Sequence, residues 1–188
     1  MIKLFDKDGN EIHVKREMYQ WELLPLDNFS AFGLKMNNEY FQTSEHAFQY
    51  LKFIETNKGI ANIIKKSYSP NDARRIAHEK KEYRLSTWSD VKYDNMEKVL
   101  KLKVEQNPIV KECLLNTKDY IIAECCIDED TDWGINNNNE GNNHLGKIWM
   151  KIRDEILDIE YPFRLRSLIS LIWDIFSIFL SSFVFGGA

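Results

Sequence analysis

Glu45, Gln49 and Lys52 are spaced by four and three residues, so on a helix they share one face and present a carboxylate, an amide and an amine together. Acid–base or covalent chemistry could use that set. The same spacing also describes a solvated polar face lying opposite Ala47, Leu51 and Ile54, so spacing assigns no role to Glu45. A second group of interest is Asp132, Trp133 and Gly134. Asp128, Asp130 and Asp132 alternate as at the start of a calcium-binding loop. However, the sixth position would be Trp133 where glycine is required, and the twelfth would be Asn139 rather than Glu, which excludes an EF-hand. On composition, Asp132 caps a turn and Trp133 packs as core.

Other chemistry-bearing residues are less organised. Lys103 falls on the same helix face as Met96, Val99 and Leu100, so its amine must reach a carboxylate, emerge into a cleft or snorkel to water. His46 and His144 have no His or Cys partner one helical turn away, so a metal would need ligands from distant segments, and a metal-free, cofactor-free mechanism is expected. The three cysteines, Cys113, Cys125 and Cys126, have no C-x-x-C spacing and read as reduced thiols of a cytoplasmic protein. The N-terminus lacks the apolar core of a secretory signal. A formal charge of −4 without a long basic run excludes a protein that grips duplex DNA along many phosphates, and a small or locally presented substrate fits better.

The elements that must position these residues are short. With 188 residues, one domain is the default. Alternation at Ile2–Phe5, turn residues Asp8, Gly9 and Asn10, and alternation again at Ile12, His13 and Val14 predict a β-hairpin, serving as a lid or edge. After a loop containing Pro25, helices are expected over residues 44–55, 71–82 and 94–104, and from a cap-plus-proline start at Asn107 and Pro108 to Leu115. Residues 120–126 read as a strand and 136–143 as an Asn-rich loop. Leu145, Ile148, Trp149, Ile152 and Ile156 form the stripe of a closing core helix. The expected fold is α+β, mainly helical with a few short antiparallel strands, over residues 1–160.

The order of the short motifs resembles the NADAR family, the YbiA-like N-glycosidases. The resemblance runs from Leu26, Asp27, Asn28 and Phe29 through Ser44, Glu45, His46, Ala47, Phe48 and Gln49, then Lys52, Phe53, Trp88, Met96 and residues 103–107. It continues through residues 114–117, Asp132, Trp133, Gly134 and residues 141–147 to Met150 and Arg153, covering about residues 21–156. Two positions depart from the family's usual pattern: Asp27 stands for Ser, and Val104 for an aromatic. Asn136 to Asn139 lengthen the loop after Trp133 and Gly134, which bears on fine specificity.

The resemblance implies hydrolysis of the bond between ribose C1 and an exocyclic amine. The implied substrates are phosphoribosylated aminopyrimidines of riboflavin synthesis or an ADP-ribosylated nucleobase such as guanine, the latter with contact to modified nucleic acid. Such a bond breaks when the leaving nitrogen is protonated while the sugar becomes cationic, which calls for a carboxyl acid and a nearby carboxylate. Glu45 is implied as acid/base, Asp132 as the group that positions water or stabilises the cation, and Lys52 as an amine able to trap a ring-opened sugar as a Schiff base. Trp88 and Trp133 offer stacking faces, Asn28 and Asn143 amide donors, and Lys103 or Arg153 phosphate neutralisation; Phe29, His46, Gln49, Gly134 and Gly146 complete the expected binding set. The competing class is a non-catalytic module that binds ADP-ribose or a nucleotide without turnover.

Beyond the resemblance, residues 161–188 form an apolar tail. Residues 168–185 as a helix would extend about 27 Å, with Arg164 and Arg166 in front and Asp174 opposing insertion by ~3 kcal/mol. Ser167, Ser170, Asp174, Ser177 and Ser181 draw a polar seam that suits helix association. Residues 164–185 are therefore expected to serve as a membrane anchor, or as a terminal helix packed on the domain or on a second copy of the chain.

Overall fold

In the computed structural model, which describes residues 2–12, 24–125 and 131–160, four short strands and six α-helices are laid out along the chain. Strand β1 (Ile2–Phe5) is followed by a 3-10 turn at Leu24–Leu26 and by β2 (Leu34–Met36) and β3 (Glu39–Phe41). The helices are α1 (Ser44–Leu51), α2 (Lys58–Lys65), α3 (Pro70–Glu79), α4 (Trp88–Gln106), α5 (Pro108–Asn116) and α6 (His144–Glu160), with β4 (Ile121–Glu124) between the last two. The chain divides into two compact units, Met1–Ile152 and Arg153–Ala188.

Local sequence explains where the helices begin. Thr43, Asn57 and Ser69 have extended backbone, and their side-chain oxygens accept the backbone N–H of His46, Ile60 and Asp72. Pro70 and Pro108 occupy first-turn positions, where a missing N–H costs nothing. Helix α1 is shorter than the expected span, since the chain turns after Leu51. It packs against α2, α3 and α4, and every residue from Ser44 to Tyr50 is buried. The polar side of α1 is therefore not a solvated face.

The strands form two separate pairs. In the first, β2 and β3 are antiparallel with Leu34 opposite Phe41. They turn through Asn37 (φ 52°) and Asn38 (φ 63°), two left-handed residues of the kind a tight hairpin requires. In the second, β1 pairs antiparallel with β4, Ile2 opposite Glu124 and Phe5 opposite Ile121. The turn after β1 closes as expected, with Gly9 at φ 84° and Ile12 N–H donating to the Leu4 carbonyl at 2.8 Å, but His13 and Val14 lie outside the described residues.

Helices α3, α4 and α5 cover the three expected central helices, with α4 extended back to Trp88 and the stretch after Glu79 turning as 3-10 at Lys81–Tyr83; α2 was not expected. Of the α6 stripe, Leu145, Ile148, Trp149 and Ile152 are buried and Ile156 is half-buried, with the Trp149 indole N–H donating to the Leu26 carbonyl at 3.1 Å. The expected apolar tail lies outside the described residues, among which no helix is long and apolar enough to cross a membrane.

Candidate active site

Glu45, Gln49 and Lys52 line one cavity of about 870 Å³ together with Asn28, Phe29 and Trp133. Burial of α1 makes this possible, because its polar side faces the cavity rather than bulk water. The Glu45 N–H donates to the Asn28 carbonyl at 3.1 Å, which ties the first turn of α1 to the loop carrying Asn28 and Phe29. The Gln49 amide N–H donates to Glu45 Oε1 at 2.7 Å and fixes the carboxyl from one side. Burial raises the Glu45 pKa, against the opposing pull of Gln49 and Lys52. Burial likewise lowers Lys52 to about 8, with Glu45 opposing the drop and Arg84 and Arg74 adding to it. Lys52 Nζ lies 5.3 Å from the Phe48 ring centroid and 5.6 Å from that of Trp88, within range of a cation–π contact. A carboxyl whose pKa burial raises and an amine whose pKa burial lowers thus meet in one pocket.

Asp132 does not join them. Its carboxylate accepts from Lys92 Nζ at 2.6 Å, from the Tyr93 hydroxyl at 2.9 Å and from Asn142 at 3.2 Å, and it is not among the residues lining the cavity. The Lys92 hydrogen bond leads in holding Asp132 down to about 2. Tyr93 stacks on His144 with ring centroids 4.0 Å apart and meets Trp133 edge-on at 5.2 Å. Asp132 therefore anchors a cluster that holds Trp133 at the cavity wall. Trp133 in turn packs edge-on against Phe48 at 5.4 Å, and Phe48 against Trp88 at 5.1 Å.

Several residues expected to bind substrate make contacts within the fold. Trp88 is buried behind Phe48 and does not line the cavity. His46 is fully buried, with Nδ1 2.9 Å from the Thr43 hydroxyl and Nε2 3.3 Å from the Ser67 carbonyl, which clamps α1 to the loop before α3. Lys103 is also fully buried and does not snorkel. Its amine donates to the Asp27 carbonyl at 2.8 Å and the Ser30 hydroxyl at 3.0 Å, while burial lowers it to about 7. Asn143 donates to the Ile122 carbonyl at 2.8 Å and accepts from Glu124 N–H at 3.1 Å, completing the edge of β4. A Cβ on Gly146 would meet the Ile122 carbonyl at 2.0 Å, so glycine there lets α6 lie against β4. Gly134 accepts the Asn143 N–H at 3.1 Å and shapes the loop. Arg153 opens the second unit, where its Nε lies 3.8 Å from Asp154.

Two features escaped the sequence reading. Glu124, at the end of β4, lines the same cavity, and burial raises its pKa, so the pocket has a second perturbed carboxyl. Arg74, Arg75, His78, Lys81 and Arg84 line it as well, from α3, the 3-10 turn after it and the residue that caps that turn. Arg74, His78 and Lys81 follow spacings of four and three, a same-face signal that was legible in the sequence. Among the described residues no group of His, Cys, Asp or Glu side chains is arranged to hold a metal ion.

Comparison with known proteins agrees with the motif order. A family model described as "NADAR domain" matches residues 9–157. N-glycosidase YbiA of Shigella boydii is 31% identical over 70% of this chain and 80% of its own length. A chloroplastic riboflavin biosynthesis protein, PYRR of Zea mays, is 31% identical over 73% of this chain but only 24% of its own. The NMR structure of Escherichia coli YbiA superposes with a TM-score of 0.65 at 30% identity, covering 74% of this chain and 81% of that one. The mainly helical fold with short antiparallel strands is thus YbiA-like, and the chain belongs to the NADAR family.

Proposed function

We propose that this NADAR-family N-glycosidase cleaves the bond between ribose C1 and an exocyclic amine, with Glu45 as the proton donor and Lys52 as the nucleophile. The observation that carries this reading is the placement of Glu45, hydrogen-bonded to Gln49, in the wall of the cavity that also takes in Lys52. A carboxyl whose pKa is raised by burial keeps its proton nearer to neutrality and can deliver it to the leaving nitrogen. An amine lowered to about 8 is neutral in about one molecule in ten at pH 7 and can attack carbon.

In the covalent route, the sugar ring opens so that C1 becomes an imine carbon to the substrate nitrogen. The Lys52 amine adds to C1, Glu45 gives its proton to the departing nitrogen, and the C1–N bond breaks to leave a lysine imine and the free amine. Water then adds to C1, the Glu45 carboxylate takes up a proton, and the sugar aldehyde departs as Lys52 is regenerated. In direct hydrolysis, Glu45 protonates the same nitrogen and water captures the sugar cation. The depressed Lys52 beside Glu45 supports the covalent route. Asp132, paired with Lys92, contributes through the placement of Trp133.

The substrate candidates are a phosphoribosylated aminopyrimidine, consistent with the riboflavin-biosynthesis name of the maize relative, and an ADP-ribosylated nucleobase, free or within nucleic acid. Amine release from each, followed by chromatography, tests the reading. Glu45→Gln is expected to lower release by about 10²-fold or more. Full activity in that variant on a substrate the wild type cleaves would remove Glu45 from the mechanism.

A further inference from the structure

One side of the cavity is unlike the rest of this acidic protein. Besides Lys52, the basic residues that line it are Arg74, Arg75, His78, Lys81 and Arg84, and all come from α3 and the turn after it. The carboxyls that line it, Asp27, Glu45 and Glu124, come from the loop after the 3-10 turn at Leu24–Leu26, from α1 and from β4. A helix face that is merely solvated usually mixes signs. Here the acidic side chains of α3, Asp72 and Glu79, pair with Arg75 at 3.3 and 2.9 Å, whereas Lys81 and Arg84 make no ion pair among the described residues.

The basic segment is also fixed to the reacting end of the pocket. The Leu85 N–H donates to the Lys52 carbonyl at 2.8 Å, and the Thr56 hydroxyl donates to the Tyr83 carbonyl at 2.6 Å. These two bonds bracket Arg84 and staple its turn to the chain leaving α1. On the other side, Ala73 and Ala77 are buried and let α3 pack against α1, while Ser69 caps its first turn. Exposed guanidinium and ammonium groups on a rigid mount, adjoining a buried acid and amine, suit a substrate with an anionic arm beyond its reactive carbon.

Resting on the glycosylamine reading above, we infer that Arg74, Lys81 and Arg84 form a subsite for a phosphate or diphosphate carried on the 5′ side of the ribose. The phosphate lies along α3 and the following turn while C1 sits at Glu45 and Lys52. Arg74 and Arg84 already bear electrostatically on Lys52, which agrees with this closeness. Lys103, spent on the Asp27 carbonyl and Ser30, plays no part.

The test uses the full chain and calorimetric titration with ribose, ribose 5-phosphate and inorganic diphosphate. Wild type should bind both phosphate compounds, and Arg74→Ala combined with Arg84→Ala should weaken each by about 10- to 100-fold, the loss expected for one or two charge-assisted hydrogen bonds. Arg75→Ala, which removes the same charge from a side chain held by Asp72 and Glu79, should cost less than about threefold. Circular dichroism checks that each variant is folded, and Arg84→Lys in place of Arg84→Ala should recover part of the affinity. Equal binding of ribose and ribose 5-phosphate by wild type would overturn the subsite. So would competition by an unmodified single-stranded oligonucleotide where ribose 5-phosphate fails, since the phosphate read would then belong to nucleic acid. Phosphate preference without amine release from any glycosylamine would sink the proposed reaction alone. Equal release from phosphorylated and phosphate-free substrates would sink the subsite alone.

Discussion

Two acid–amine pairs in this molecule behave in opposite ways. Lys92 and Asp132 touch at 2.6 Å at the half-exposed edge of a loop, and contact dominates: Asp132 is held down to about 2, and Lys92, despite the opposing effect of burial, is raised. Glu45 and Lys52 share a buried wall, and burial dominates: Glu45 is raised and Lys52 falls to about 8. The first pair is locked in its charged forms and serves as a fastener. The second is pushed towards neutrality on both sides, the condition under which a carboxyl can donate a proton and an amine can form a bond.

The sharpest way to break this contrast is to remove one amine at a time. Lys52→Ala should abolish a borohydride-trapped sugar adduct seen by mass spectrometry and lower amine release by about 10²-fold or more. Lys92→Ala should keep the adduct. Absence of any adduct in wild type, with Lys52→Ala still active, would move the reading to direct hydrolysis.

A third amine separates burial from availability. Lys103 is as buried as any residue in the protein, but its protons are committed to the Asp27 carbonyl and Ser30. Lys103→Ala should destabilise by about 3 kcal/mol, through an unfilled volume and the loss of two buried hydrogen bonds, and Lys103→Met should recover much of that. Urea midpoints measure both. A Lys103→Ala protein of wild-type stability would contradict a structural role.

Smaller effects are expected where charge is exposed. Asp132→Asn should cost ~1 kcal/mol at pH 7. The folded pKa lies below the unfolded value of about 3.9, so the contribution is present above about pH 4 and fades as pH falls towards 2. The stability gap between wild type and variant should therefore close in acid. Glu45 has the reverse sign. Its folded pKa is raised, so its favourable contribution belongs to low pH and is lost as pH rises through the folded value. Glu45→Gln should then be as stable as wild type at neutral pH, or more stable by up to about 1 kcal/mol. A large loss of stability in that variant would mean that the ionised carboxylate is held by contacts absent from the structure.

The same contrast explains what could be read from the sequence. Helical spacing placed Glu45, Gln49 and Lys52 together, and the stripe from Leu145 to Ile152 found the core side of α6. Spacing could not tell a wet face from a pocket wall, because that depends on α2, α3 and α4 closing over α1, and α2 itself was not expected. Asp132 and Glu124 were equally ambiguous. Which carboxyl reaches the cavity is decided by the long-range pairing of β4 with β1 and by Lys92 and Tyr93, some 40 residues before Asp132. The β2–β3 hairpin did carry a local signal in Asn37 and Asn38, and the basic wall another in the 74, 78, 81 spacing.

The most direct measurement is amine release from a ribosylated exocyclic amine that wild type cleaves, with Glu45→Gln and Asp132→Asn assayed side by side. Glu45→Gln is expected to lose about 10²-fold or more, and Asp132→Asn less than about tenfold. The opposite order, with Asp132→Asn inactive and Glu45→Gln near wild type, would contradict this expectation.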